Sequence, residues 1–210
     1  MSLHPPIAVL LFTFVSACQI QQPSSPSSRA KLPAPSRSVT PTKPNWSARL
    51  LSAAKAGDYD ASSEALRHGA SPNARGFYDM SPLLWAVSRH DLPMAKLLLD
   101  HGANPNQPKK DRVTPVFLAA VFPPKGPEDL TLTSLLLDRG ADVNRPDELG
   151  QTPLLWVAFY GHIAIADYLL QHGADVNAVD RFGQSPLCMA EGQHRDDMIS
   201  FLISHGATKR

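Results

Sequence analysis

The sequence lacks nearly everything that marks a catalyst. It holds two cysteines in 210 residues, at 18 and 188, and no C-x-x-C pair. That excludes a disulfide framework and gives no support to a zinc or thiol-redox site. No G-x-S-x-G elbow, H-E-x-x-H helix or glycine-rich phosphate loop occurs. Charge of one sign is missing as well: 20 basic residues stand against 19 acidic ones, a formal net charge of +1, which argues against a dedicated nucleic-acid binder. No apolar run approaches the ~20 residues of a bilayer-spanning helix. No enzymatic activity, cofactor or metal site is expected. Proline is plentiful, with 20 residues, and its placement divides the chain.

The first segment reads as an address. Ile7 to Val15 form a short apolar run that ends in Ser16-Ala17-Cys18. A short apolar core followed by small residues is a secretory signal. Val15-Ser16-Ala17-Cys18 resembles the lipobox of bacterial lipoproteins, an aliphatic residue and two small ones before Cys. The resemblance implies removal of a signal peptide at 1–17, acylation of Cys18 and membrane anchoring through it; an ordinary cleaved signal is the alternative. Several acyl chains anchor stably where one binds only marginally. Gln19 after the cysteine, where enterobacterial lipoproteins held in the inner membrane tend to carry Asp, points to the outer membrane. The expected location is a bacterial cell envelope, lipid-anchored and facing the periplasm.

From Gln19 to Asn45 the chain holds six Pro and six Ser, no Gly and no acidic residue, with Arg29, Lys31, Arg37 and Lys43 as its charges. Such a composition buries no core and is expected to form, with the lipidated cysteine, a disordered tether over 18–45. All the acidic residues and all but four of the basic ones follow it.

The remainder is periodic. Gly-Ala-x recurs at Gly69, Gly102, Gly140, Gly173 and Gly206, and Pro82, Pro115, Pro153 and Pro186 keep the same rhythm between them. The period is 33 residues, with five extra in the third unit, and a period of this kind signals a stacked helical array. Ser81, Thr114, Thr152 and Ser185 place a hydroxyl N-cap before each proline, whose fixed φ suits a first helical turn. A second apolar stretch then runs to a glycine placed as a left-handed C-cap.

GADVN at 140–144 and 173–177, GANPN at 102–106, SPLLWAV at 81–87 and TPLLWVAFYGH at 152–162 resemble ankyrin repeats, and the resemblance covers essentially all of 46–210. It implies an all-α solenoid of about five helix-turn-helix repeats with projecting hairpin turns, at about 46–77, 78–110, 111–148, 149–181 and 182–210. The first repeat lacks the Thr-Pro start and is expected to act as a cap.

His68, His101, His172 and His205 share one repeat position, just before the capping glycine, with Arg139 at the equivalent place. Cations are favoured at a helix C-terminus, and repeats stacked 8–10 Å apart cannot bring these rings to one metal. They are expected to be scaffold. Cys188, on a helix facing its neighbours, is expected to be a buried thiol. Trp85, Leu118, Trp156 and Met189 form a stripe at repeat spacing, which reads as core.

The resemblance implies a concave groove lined by turn tips and inner helices, where partner proteins dock. Mapped onto this chain, the tips hold Arg75, Phe77, Tyr78, Met80, Lys110, Asp111, Val113, Glu148, Leu149, Gln151, Arg181, Phe182 and Gln184, and the inner helices add Ser88, Arg89, Val121, Phe122, Phe159, Tyr160 and Gln193. Aromatic residues and Arg anchor interfaces. Phe77, Tyr78, Met80, Arg89, Phe122, Lys125, Phe159, Tyr160, Arg181 and Phe182 are therefore the candidate partner-binding residues. The five extra residues are expected within 122–129, and the turns at Gly76–Asp79 and Lys109–Arg112 depart from the usual Asp and Gly placement. The function expected is a monomeric protein-binding module, an immunity protein against a periplasm-acting toxin or, alternatively, a housekeeping scaffold for an envelope enzyme such as one in oxidative defence.

Overall fold

The computed structural model describes residues 44–123 and 129–209. The signal segment, Cys18 and the tether, and Lys125 with the middle of the insertion, lie outside the described residues. Among the described residues there are ten α-helices and no strand. They are α1 Trp46–Ala56, α2 Tyr59–Arg67, α3 Pro82–Ser88, α4 Leu92–Asp100, α5 Pro115–Val121, α6 Thr131–Asp138, α7 Pro153–Tyr160, α8 Ile163–Gln171, α9 Pro186–Gly192 and α10 Asp196–Ser204. None is long and apolar enough to cross a membrane.

Each helix forms where the repeat predicts it, and the caps show why. Ser81, Thr114 and Ser185 accept from the amides of Leu84, Phe117 and Cys188 at 3.2, 3.3 and 3.3 Å. Thr152 departs from this pattern: its hydroxyl is buried without a partner, and the amide of Leu155 bonds the Thr152 backbone carbonyl at 3.1 Å instead. Asp58 and Asp91 cap α2 and α4 through the amides of Ala61 and Met94. The five outer helices end alike, in a left-handed glycine followed by an alanine whose amide reaches back to the last turn, as Ala103 does to Leu98 at 2.9 Å. The histidines before these glycines turn onto their own helices or a neighbour: Nδ1 of His101 lies 2.9 Å from the Leu97 carbonyl, and His68 stacks on Trp46 at 4.1 Å.

The pairs stack in two rows. In the inner row α1 packs on α3, α3 on α5, α5 on α7 and α7 on α9; in the outer row α2 packs on α4, α4 on α6 and α8 on α10. One continuous core runs between the rows, with Leu50, Leu83, Leu98, Leu136, Leu154, Leu169 and Leu202 all but sealed from solvent. Each such leucine contributes roughly 1.5–3 kcal/mol by leaving water.

Asparagines stitch the repeats on the hairpin side. Asn73 donates to the Gly102 carbonyl at 3.0 Å and accepts from the amide of Asn104 at 2.6 Å. Asn106 does the same with Gly140 and Asp142, and Asn177 with Gly206 and Thr208. The loops from inner to outer helix are residues 57–58, 89–91, 161–162 and 193–195, against 122–130 in the third repeat. The insertion therefore sits between α5 and α6, at the opposite helix end from the hairpin tips.

Candidate protein-binding face

Four hairpin turns join each outer helix to the next inner one, and backbone bonds close them: Gly76 to Met80, Lys109 to Val113, Asp147 to Gln151 and Asp180 to Gln184, at 2.9 to 3.1 Å. Neighbouring tips are tied by bonds from Lys110 to Tyr78, Glu148 to Asp111 and Arg181 to Leu149, so the tips form one ridge. The turns share one feature despite their different sequences. A left-handed residue occupies the fourth position in each, Asp79 (φ 57°), Arg112 (φ 65°), Gly150 (φ 82°) and Gly183 (φ 74°). In the first, a 3-10 turn, Tyr78 (φ 55°) is left-handed as well. Asp147 accepts from the amides of Leu149 and Gln151, and Asp180 from those of Phe182 and Gln184. Where Asp is absent from the first position, ion pairs substitute, Arg75 with Asp79 at 3.6 Å and Lys109 with Asp111. Burial raises the pKa of Asp147, helped by the charges of Asp111 and Asp180 and opposed by the two amides.

The ridge presents its apolar residues to solvent. Phe77 is 81 % and Phe182 67 % exposed, and Tyr78, Leu149 and Arg181 are exposed beside them. Three other residues expected at the tips turn inward. Met80 is half-buried, Val113 is buried, and Gln151 is buried with its amide oxygen accepting from Trp156 Nε1 at 2.9 Å and its nitrogen donating to Asp180 at 3.3 Å. The last residue of the turn packs against the start of the inner helix, so in this position the repeat favours burial over display.

On the inner row the third and fourth repeats carry a second apolar cluster. Val113, Phe117 and Val121 are buried there, with Leu118, Trp156 and Tyr160 packed on them. Val121 is thus a cluster residue and not a free inner-face position, because Tyr160 and Trp156 of the next repeat cover it. Around this cluster lies a continuous sheet of rings: Trp156 against Tyr160 at 6.0 Å, Phe159 edge-on to both at 5.6 and 5.2 Å, and Phe122 beside Tyr160 at 6.3 Å. Phe122 is 38 % exposed, while Phe159 and Tyr160 are half-buried. Burial also raises the Tyr160 pKa.

Arg89 is exposed and donates to the Lys55 carbonyl at 3.4 Å, lying over Gly57. Gly57 has φ 78°, a conformation that favours glycine, and a Cβ there would stand 2.6 Å from the Arg89 guanidinium and displace that exposed side chain. Arg195 repeats the arrangement on α7, with Nε 3.3 Å from the Phe159 carbonyl. Both arginines place a cation at the C-terminus of the preceding inner helix, where the dipole favours it.

Cys188 corrects an expectation, for the thiol is exposed. Its counterparts Leu84, Phe117 and Leu155 are buried, each on an inner helix with another packed beyond it. No helix of the inner row packs beyond α9 among the described residues, and the same position faces solvent. No group of three or more His, Cys, Asp or Glu that could hold a metal is found among the described residues.

Comparison with known proteins agrees with this geometry. The family described as "Ankyrin repeats (3 copies)" matches residues 50–147 and 125–210, which together are more than half of the chain. The chain belongs to the ankyrin-repeat family. It is also 43% identical over 56 residues to an ankyrin repeat-containing protein of Treponema pallidum (strain Nichols), a stretch of 27% of this chain and 19% of that protein. The chain thus spans about a fifth of that relative's length. Ankyrin repeats are a protein-interaction architecture, and the family is typically a non-enzymatic scaffold.

Proposed function

We propose that this chain is a lipid-anchored, periplasm-facing module of a bacterial envelope that binds a partner protein through its concave face. One observation carries the binding half of the reading: an apolar cluster with a rim of rings on the inner helices, where Phe122, Phe159 and Tyr160 stand open or half-open at one end of these helices, with the exposed Phe77, Tyr78 and Phe182 on the hairpin tips at the other. Apolar surface left at a site otherwise free to be polar marks an interaction face, and aromatic side chains supply most of the energy of such contacts. The lipobox-like Val15-Ser16-Ala17-Cys18 supports the anchoring half.

The test uses the full chain, solubilised from membranes and cross-linked to whatever it holds, with Phe122→Ala and the pair Phe77→Ser, Phe182→Ser as controls. These side chains are exposed, so helical content should stay at the wild-type level. A partner recovered with the wild type and lost in the variants supports the reading, and retention of the same partner by every variant overturns it. A secreted hydrolase as that partner supports the immunity role, and an endogenous envelope enzyme the scaffold role. Cys18→Ser should release the chain from the membrane fraction; persistence there overturns acylation as the anchor.

A further inference from the structure

At the start of the inner row two cations stand without acids, Lys55 in the last turn of α1 and Arg89 just after α3. The sequences of α1, α3, α5 and α7 contain no Asp or Glu, and Glu191 of α9 is paired with Lys209 at 2.7 Å. Lys55 and Arg89 are neighbours on the first two repeats, joined by the 3.4 Å contact already described, with the Lys55 ammonium 5.4 Å from the centre of the Trp85 ring. Both are exposed, and among the described residues neither has a carboxylate within 4.0 Å. The acids of the adjoining loops, Asp58 and Asp91, are committed to capping α2 and α4. One repeat beyond Arg89 along the same row comes Phe122, and two beyond come Trp156, Phe159 and Tyr160, a surface of rings whose indole N–H is already taken by Gln151.

We infer that the segment docking on this face is an acidic stretch of a partner protein with an apolar or aromatic side chain a few residues away. The carboxylates meet Lys55 and Arg89, and the apolar side chain meets the rings. This rests on the reading of the inner face as a protein-binding surface and adds the chemistry of what binds. An arginine fork pairs with a carboxylate through two parallel N–H donors, where a neutral group takes one. Covering Lys55 and Arg89 with a wholly apolar segment strips two charges of water without a partner, and a basic segment adds like-charge repulsion. Inner helices packed 8–10 Å apart put α3 and α7 about 20 Å from each other, which an extended segment of about six residues spans.

The test is selection of random peptides of about 16 residues displayed against the purified full chain, followed by anisotropy titration of the enriched sequences. Peptides with two or more carboxylates near an aromatic or large aliphatic residue are expected. Their affinity should fall about tenfold in Lys55→Glu, and also as salt rises from about 50 to about 500 mM. It should fall likewise in Phe122→Ala. Enriched peptides that lose affinity in Phe122→Ala but ignore Lys55→Glu and salt leave the face as a binding surface and overturn the acidic partner. Peptides indifferent to both substitutions, or no enrichment at all, overturn both readings. Lys55 is exposed, so circular dichroism of Lys55→Glu should match the wild type.

Discussion

The side-chain amide of Asn144 donates to the carbonyl of Gly173 at 2.8 Å, while its oxygen accepts from the amide of Asp175, also at 2.8 Å. One side chain thereby satisfies two backbone groups of the next repeat and fixes that repeat's spacing. Asn144→Ala removes both bonds in the middle of the array and should cost about 1–3 kcal/mol, the range for two net hydrogen bonds partly open to water. Asn177→Ala releases only the last segment and should cost less. Urea unfolding followed by helical circular dichroism measures both, and equal or negligible losses would contradict the stitching role.

Arg112 sits in a left-handed conformation that Gly150 and Gly183 adopt at equivalent positions. The left-handed region costs a residue with a Cβ about 1–2 kcal/mol, offset in part by the greater unfolded-state freedom of glycine. Arg112→Gly should therefore raise stability by about 0.5–1 kcal/mol. Gly183→Arg should lower it comparably, since nothing lies within 4 Å of a Cβ built at Gly183 and only the backbone conformation is at stake. A lower urea midpoint for Arg112→Gly would refute the strain argument.

The array was legible from glycine and proline spacing because each marker answers a local demand, a left-handed cap or an unbonded first turn, that the sequence states by itself. The site was legible only in outline. Phe77 and Phe182 stand where the repeat register puts them, whereas Val113 and Val121 turned inward because Trp156 and Tyr160, large residues of the following repeat, reach over them, and Gln151 turned inward to bond Trp156 of its own repeat and Asp180 of the next. The contacts of Val113 and Val121 cross 35 or more positions, which a one-repeat pattern does not contain. Similarly, Thr152 has the sequence of an N-cap but not its bond. The pairing of Arg89 with the end of α1 gave no signal in the pattern beyond the glycine at 57.

Cys188 supplies a direct check on the end of the inner row. Its exposure predicts that the folded protein reacts with a water-soluble thiol reagent at a rate close to that of the unfolded chain. Cys188→Ser should then change stability by less than about 0.5 kcal/mol, the usual range for an exposed position. A thiol that reacts only after denaturant is added would show that another surface covers α9.

His162 makes the fold sensitive to mild acid. Burial lowers its pKa below the ordinary 6.5, assisted by the Arg195 charge and opposed by the bond to the Ala120 backbone. Its Nδ1 is buried with no partner, and the ring stacks on Tyr160 at 5.6 Å. The folded state therefore binds fewer protons than the unfolded chain between the lowered value and 6.5, and stability rises with pH through that window. The contribution of neutral His162 is complete above about pH 6.5 and is lost as the pH falls toward the folded value. Asp147 acts with the opposite sign: its raised pKa means that ionisation costs stability above 3.8, a cost relieved by acid. Thermal unfolding at about pH 7.5 and about pH 5.5, compared between the wild type and a His162 variant, separates the two, because Asp147 is common to both proteins. The wild type should melt lower at the acidic pH, and His162→Gln, which keeps a donor for the Ala120 carbonyl but does not titrate, should lose much of that difference. An identical pH dependence in the variant would remove His162 from the account.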